Sequence, residues 1–207
     1  GDGAGGLLVS DFADRLRKSE WEVRPISVPQ AATIVRAFHY AKGGSNTATY
    51  AHGLFRKGED EPLGAAWWIP PTKSAALATY PTDWTKVLAL SRMALSPEVP
   101  KNGATFLLAR SVRLIDRDRW PCLVTYADEW QGHTGGIYRA AGWRYVGKTK
   151  PERTYVKDGR VLARKAGPKT RTHAEMVALG AIMVGAFAKH KFVSLAPPSA
   201  ITTDILG

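Results

Sequence analysis

VLALSRMALSPEVPKNGATFLLARSVRLI, residues 87–115, carries more of the fold than any other part of this chain. Its first nine residues are almost continuously apolar, the mark of a strand covered on both faces. Two prolines, an asparagine and a glycine then make a turn over 96–103. Residues 104–115 change to helical spacing, with Leu108, Val112 and Ile115 on one face. A buried strand that runs through a glycine turn into a helix start forms an anion site. Backbone N–H groups around Lys101, Asn102, Gly103, Ala104 and Thr105 point outward there, aided by the helix dipole and the lysine. Leu95 ends the strand beside them.

Outward from this segment, residues 121–126 (PCLVTY) read as a second buried strand and 131–141 as a turn and short helix. A strand follows over 143–148. Asp158-Gly159, set between two alternating runs, predicts a hairpin over 154–165 with a type I′ turn. Residues 191–195 would supply a last strand. Upstream, helical spacing marks 10–19, a strand 21–28, and a helix 29–40 opened by Pro29 and stopped by KGGS at 42–45. Strands over 47–56 and 63–69 are joined by the acidic turn KGEDE. The order predicts an α/β fold: one domain with a central mixed, mostly antiparallel sheet flanked by helices. We expect an N-terminal segment over 1–20, the domain over 21–172 with a basic hairpin at 144–171, and a C-terminal extension over 173–207.

The chain has 207 residues, 44% apolar and 23% charged, enough for a substantial core without disulfide or metal staples. No stretch approaches the ~20 apolar residues of a membrane span, and no basic n-region suggests a signal peptide. The lone cysteine, Cys122, excludes an intramolecular disulfide and a thiolate zinc site, and reads as a small buried hydrophobe. A cytoplasmic setting is expected, with monomer and homodimer both open.

The net charge of +11 points to a polyanionic partner. Residues 144–171 hold ten Lys or Arg against Glu152 and Asp158, so +8 falls within 28 residues. Trp143, Tyr145 and Tyr155 interleave with these cations, a pattern suited to nucleic acid. Arg144, Lys148, Lys150 and Arg153 would meet DNA phosphates before the hairpin turn. Lys157, Arg160, Arg164 and Lys165 would do so at and beyond it.

The run Tyr138-Arg-Ala-Ala-Gly142-Trp143 resembles the Tyr-x-x-x-Gly-Phe pattern of the GNAT acetyltransferase superfamily, with Trp for Phe. The superfamily's Gln/Arg-x-x-Gly-x-Gly/Ala turn is present only as Pro100-Lys-Asn-Gly-Ala-Thr. A finer resemblance is to the Mom-type DNA-modification proteins of bacteriophages, a divergent GNAT branch. It rests on His39-Tyr40, Trp67-Trp68, Leu90-Ser91-Arg92, Tyr126-Ala-Asp128, Gln131-Gly132-His133 and Gly167-Pro-Lys-Thr-Arg-Thr172, and covers about residues 25–172. This resemblance implies acetyl-CoA binding and transfer to adenine N6 in DNA. The product would be a carbamoylmethyl group that shields phage DNA from restriction, and the branch has a link to iron.

Adenine N6 is a weak nucleophile, because its lone pair is delocalised into the ring. A site acting on it must hold the base rigidly and manage a proton. Tyr138 occupies the position whose phenol, by the resemblance, protonates the CoA thiolate. Asp128, at the carboxyl end of a buried strand, could orient the amine, accept its proton, bind a metal or cap a turn. His133 is a base or ligand candidate in a glycine-rich turn. His39-Tyr40 ends a helix before a flexible loop and suits base contact. Arg92 within an apolar strand needs a partner: a cofactor phosphate, Asp128 or a DNA phosphate. Trp67 and Trp68 face opposite ways, so at most one lines a site. Two alternatives stay open: an acyltransferase acting on another amine, and a non-enzymatic basic DNA-binding protein, which would bind no CoA.

Overall fold

The computed structural model describes residues 15–39, 46–129 and 135–197. Seven strands form the central sheet: β1 Trp21–Pro25, β2 Tyr50–Arg56, β3 Gly64–Ile69, β4 Val87–Leu95, β5 Cys122–Asp128, β6 Arg144–Lys148 and β12 Lys189–Leu195. Their spatial order is β1-β2-β3-β4-β5-β12-β6. Every pairing is antiparallel except β4 with β5. Among the described residues, five helices accompany them: α1 Val28–Phe38, α2 Lys73–Thr79, α3 Gly103–Arg113, α4 Gly136–Ala140 and α5 His173–Ala178.

The helices sort onto two faces by strand alternation. α1 buries Ala31, Ile34 and Val35 against Ala51, Ala65, Trp67 and Ala94. Ala76 of α2 packs on the same face, with Val87, Ala89, Val124 and Val193. α3 covers the opposite face, setting Phe106, Leu107 and Leu108 with Trp68, Leu88, Leu123 and Phe192. The expected mixed sheet between helices is therefore present.

Boundaries and some elements differ from expectation. Of the proposed helix at 10–19, residues 10–14 lie outside the described ones; over 15–19 no α-helix forms, since Arg15 bridges to Lys101 and a 3-10 turn runs over Lys18–Glu20. β1 stops at Pro25 because Ser27 caps α1, its hydroxyl accepting from Gln30 N. α2 was not expected: it is one short helix between prolines, capped by Thr72. The division at 172 cuts through the sheet, since β12 lies between β5 and β6 and buries Phe192 and Val193 on opposite faces. The basic segment is likewise divided. β6 belongs to the main sheet. The Asp158-Gly159 turn, both residues at positive φ, joins β7 Glu152–Lys157 to β8 Arg160–Leu162 in a separate sheet with β11 Ile182–Phe187. β9 Lys165–Ala166 and β10 Lys169–Thr170 pair by themselves. Cys122 is fully buried, as its neighbours predicted.

A polar triad fastens α3 to the sheet. Trp68 Nε1 donates to Ser111 Oγ at 2.8 Å, and the same hydroxyl shares a 2.6 Å hydrogen bond with His52 Nδ1. Burial lowers the His52 pKa from 6.5 to about 4. Between those values the unfolded chain takes up a proton that the folded chain refuses. Stability is therefore fully present above pH 6.5 and lost as pH falls toward 4. The expected loss is about 3 kcal/mol by urea unfolding, and a His52→Asn variant should lack most of this slope.

Candidate active site

The parallel ladder of β4 and β5 is short. Val87, Leu88 and Ala89 pair with Cys122, Leu123 and Val124, and there the ladder ends. Beyond that point β4 stays with β3 to Leu95, and β5 stays with β12 to Asp128. The sheet forks, opening a cleft of about 400 Å³ lined by His39, Arg92, Leu95, Ala104, Thr125 and Tyr138 among others. Thr125 Oγ1 donates to the Leu90 carbonyl at 3.3 Å, just past the fork.

A bulge in β4 sets which side chains face which way. Trp68 pairs with Leu90 and Trp67 with Arg92, leaving Ser91 as the extra residue. Before the bulge, Val87 and Ala89 point to the α1–α2 face; after it, Arg92 and Ala94 do. Arg92 and His39, the C-cap of α1, thus enter the cleft from that face. Both tryptophans are core: Trp67 donates to the Thr47 carbonyl and Trp68 to Ser111, and neither lines the cleft.

Tyr138 enters from the α3–α4 face. Gly135, at φ +80°, starts α4 against Phe192, whose ring would stand 2.2 Å from any added Cβ. The Tyr138 ring packs between Trp143 (5.6 Å) and Phe192 (5.5 Å). Burial pushes its phenol pKa up, and the hydrogen bond with Thr125 offsets this only in part. The side chain is therefore a proton holder at neutral pH. The Tyr-x-x-x-Gly-Trp motif has its physical meaning here, since the buried Trp143 backs the tyrosine.

The start of α3 meets the cleft through Ala104, and the end of β4 through Leu95. Asn102 adopts a left-handed conformation (φ 71°) and gives no side-chain cap. The first-turn amides, including those of Ala104 and Thr105, have no intrahelical carbonyl to bind. Gly103 is required, because a Cβ would lie 2.1 Å from Val99 Cγ1. Lys101 sits on the exposed turn, and its carbonyl accepts from Leu16 N.

Asp128, the last residue of β5, lies opposite Lys189 and directly follows the cleft-lining Ala127. Alternation with Val124 and Tyr126 places it on the α1–α2 side. Tyr40 and His133 lie outside the described residues. Among the described residues, no three His, Cys, Asp or Glu side chains come together to hold a metal ion. These residues do not make an iron site.

The basic residues are spread over three sheets. Arg144, Lys150, Arg153, Lys157, Arg160 and Lys165 are exposed, with Lys157 directly opposite Arg160. Lys148, expected as a phosphate contact, is ion-paired with Glu129 at 2.7 Å. Arg164 donates from Nε to the Arg171 carbonyl. Glu129 also meets His190 Nε2 at 3.1 Å, and His190 Nδ1 meets the Tyr145 hydroxyl at 3.0 Å. The sequence does not show this cluster, because nothing local to His190 marks it as a neighbour of β6 across the sheet.

Residues 20–194 match the Mom protein family. Solved structures share the fold at low identity. Arabidopsis thaliana NAA60 in complex with acetyl-CoA is 10% identical, with a TM-score of 0.55, covering 84% of this chain and 98% of that one. A GNAT family acetyltransferase from Elizabethkingia anophelis with acetyl-CoA bound is 12% identical, TM-score 0.50, covering 86% and 99%. A Bacillus subtilis acetyltransferase in complex with CoA is 6% identical, TM-score 0.53, covering 86% and 99%. No curated protein sequence matches the chain. Among the described residues, no helix is long and apolar enough to cross a membrane.

Proposed function

The chain belongs to the Mom protein family, and from that premise we propose that it is an acetyl-CoA-dependent enzyme that modifies adenine N6 in DNA. The modified base would protect phage DNA from restriction; a carbamoylmethyl group there would need, besides the two acetyl carbons, a nitrogen donor for its amide and a two-electron oxidant for the methyl carbon. The observation that carries this reading is the forked sheet, whose cleft takes Tyr138 from one face and Arg92 and His39 from the other.

When bound, acetyl-CoA supplies a two-carbon group activated on a thioester sulfur. The residues present fit it. The uncapped start of α3 suits the pyrophosphate, with Ala104 and Thr105 offering amides. The parted edges of β4 and β5 carry backbone groups that leave the ladder after Ala89 and Val124, and these suit the amide-containing arm of CoA. Tyr138 holds a proton inside the cleft, for delivery to the leaving sulfur. Asp128 and His39 stand on the opposite face, where Asp128 would orient the adenine amine and His39 would contact the base. A base in a duplex would have to leave the stack to enter such a cleft, at a cost of a few kcal/mol.

Mass spectrometry of nucleosides from DNA co-expressed with the protein tests this reading. A modified deoxyadenosine supports it; unmodified DNA with intact acetyl-CoA binding would turn attention to another amine acceptor. Absence of any CoA binding would leave a basic DNA-binding protein.

The exposed cations on the β7–β8 hairpin give a second expected result. Replacing Arg153, Lys157 and Arg160 by Ala should weaken duplex binding and flatten its log–log salt slope by about 2–3, near 0.9 per phosphate contact. Acetyl-CoA affinity should not change. An unaltered slope would assign these charges to a solvated face.

A further inference from the structure

We propose that Arg92 is the seat of an anionic group carried by the acceptor, namely a phosphodiester flanking the extruded adenosine. This rests on the nucleotide-acceptor reading above and adds to it the group that holds the nucleotide.

The Arg92 guanidinium is an unfinished interaction. One terminal nitrogen donates to the neighbouring Ser91 carbonyl at 2.8 Å. Its Nε is buried, and among the described residues it is the side-chain nitrogen or oxygen that is buried without a hydrogen-bond partner. None of the ion pairs between described residues involves Arg92. A guanidinium cannot shed its charge at ordinary pH as a lysine or histidine can. Arg92 is half-buried, and a guanidinium partly withdrawn from water without a counter-ion destabilises the protein that carries it. An incoming anion would satisfy both the charge and the open donor, and a neutral acceptor only the donor.

The location tells which ligand brings that anion. The Ser91 bulge turns Arg92 to the face of α1, where His39 lines the same cleft. The start of α3 and Tyr138 lie on the other face. The CoA pyrophosphate would meet α3 on that other face, so Arg92 is left for the acceptor. An acceptor drawn to a chain of net charge +11 is a polyanion, and the anion fixed nearest a DNA base is its own phosphodiester. Arginine suits such a group because its planar fork can present two parallel donors.

Calorimetry on the CoA-saturated protein tests the assignment without turnover. The probes are deoxyadenosine and its 3′- and 5′-monophosphates. The wild-type protein should bind one monophosphate roughly tenfold or more tightly than the nucleoside. Arg92→Met should erase that preference while leaving the nucleoside and CoA affinities near wild type. Arg92→Lys should retain part of it. The monophosphate that wins identifies the side of the base on which the phosphate sits. Equal binding of nucleoside and monophosphates by the wild-type protein overturns the Arg92 assignment alone. A phosphate preference surviving in Arg92→Met does the same. Binding of no adenosine compound by a protein that still binds CoA overturns the nucleotide-acceptor reading, and this inference with it.

Discussion

Replacing Tyr138 by Phe should lower modification of co-expressed DNA by roughly 10²-fold or more, the usual contribution of a positioned proton donor. The substitution removes one hydroxyl and keeps the ring contacts with Trp143 and Phe192. Thr125 keeps its bond to the Leu90 carbonyl, so the fork should hold its shape. Folding and acetyl-CoA affinity are expected to stay near wild type, which puts the loss in turnover. The pH dependence has a definite sign. Burial raises the phenol pKa, so the proton stays on Tyr138 further into the alkaline range than on an exposed tyrosine. Wild-type activity should therefore persist through mildly alkaline pH. Full activity in the Phe variant would remove Tyr138 from the mechanism.

The largest expected effect on stability comes from Trp68→Ala, at roughly 3–5 kcal/mol. Trp68 is completely buried in β3, between β2 and β4. Its ring stands 6.4 Å from Trp143, which in turn supports Tyr138. Truncation leaves a large cavity and removes the donor to Ser111 Oγ, loosening the polar triad that includes His52. Against a typical domain stability of about 5–15 kcal/mol, such a loss consumes much of the margin. Urea unfolding should show it directly. Trp84→Ala, at a position 40% exposed, should change stability by about 0.5 kcal/mol or less. Comparable losses at the two positions would mean that the Trp68 contacts do not carry the core.

The two experiments probe parts of the molecule that were legible to different degrees. β4, the turn after it and α3 follow from local pattern: nine almost wholly apolar residues, then prolines and glycine, then apolar residues at helical spacing. The hairpin at Asp158-Gly159 was equally plain, because only residues tolerant of positive φ fit both turn positions. Tyr138 stands out through the resemblance of its run to Gly142 and Trp143 to the GNAT pattern, and Arg92 as a charge inside an apolar strand. The short helix α2 was missed because seven residues give too little periodicity to separate a helix from a loop.

By itself, then, the sequence determined most of the strands, the helices α1 and α3, the glycine turn that leads from β4 into a helix, and where the charge accumulates. The tertiary structure alone decided that β12 inserts between β5 and β6, that β4 and β5 part after three pairs, and that the Ser91 bulge turns Arg92 toward α1. The physical reason is that hydropathy period reports which face of a strand is buried, whereas partner and register are set by hydrogen bonds between backbone edges far apart in the chain. Those edges are chemically alike for every residue except proline, so their pairing leaves no local trace, and the cleft exists where that pairing stops.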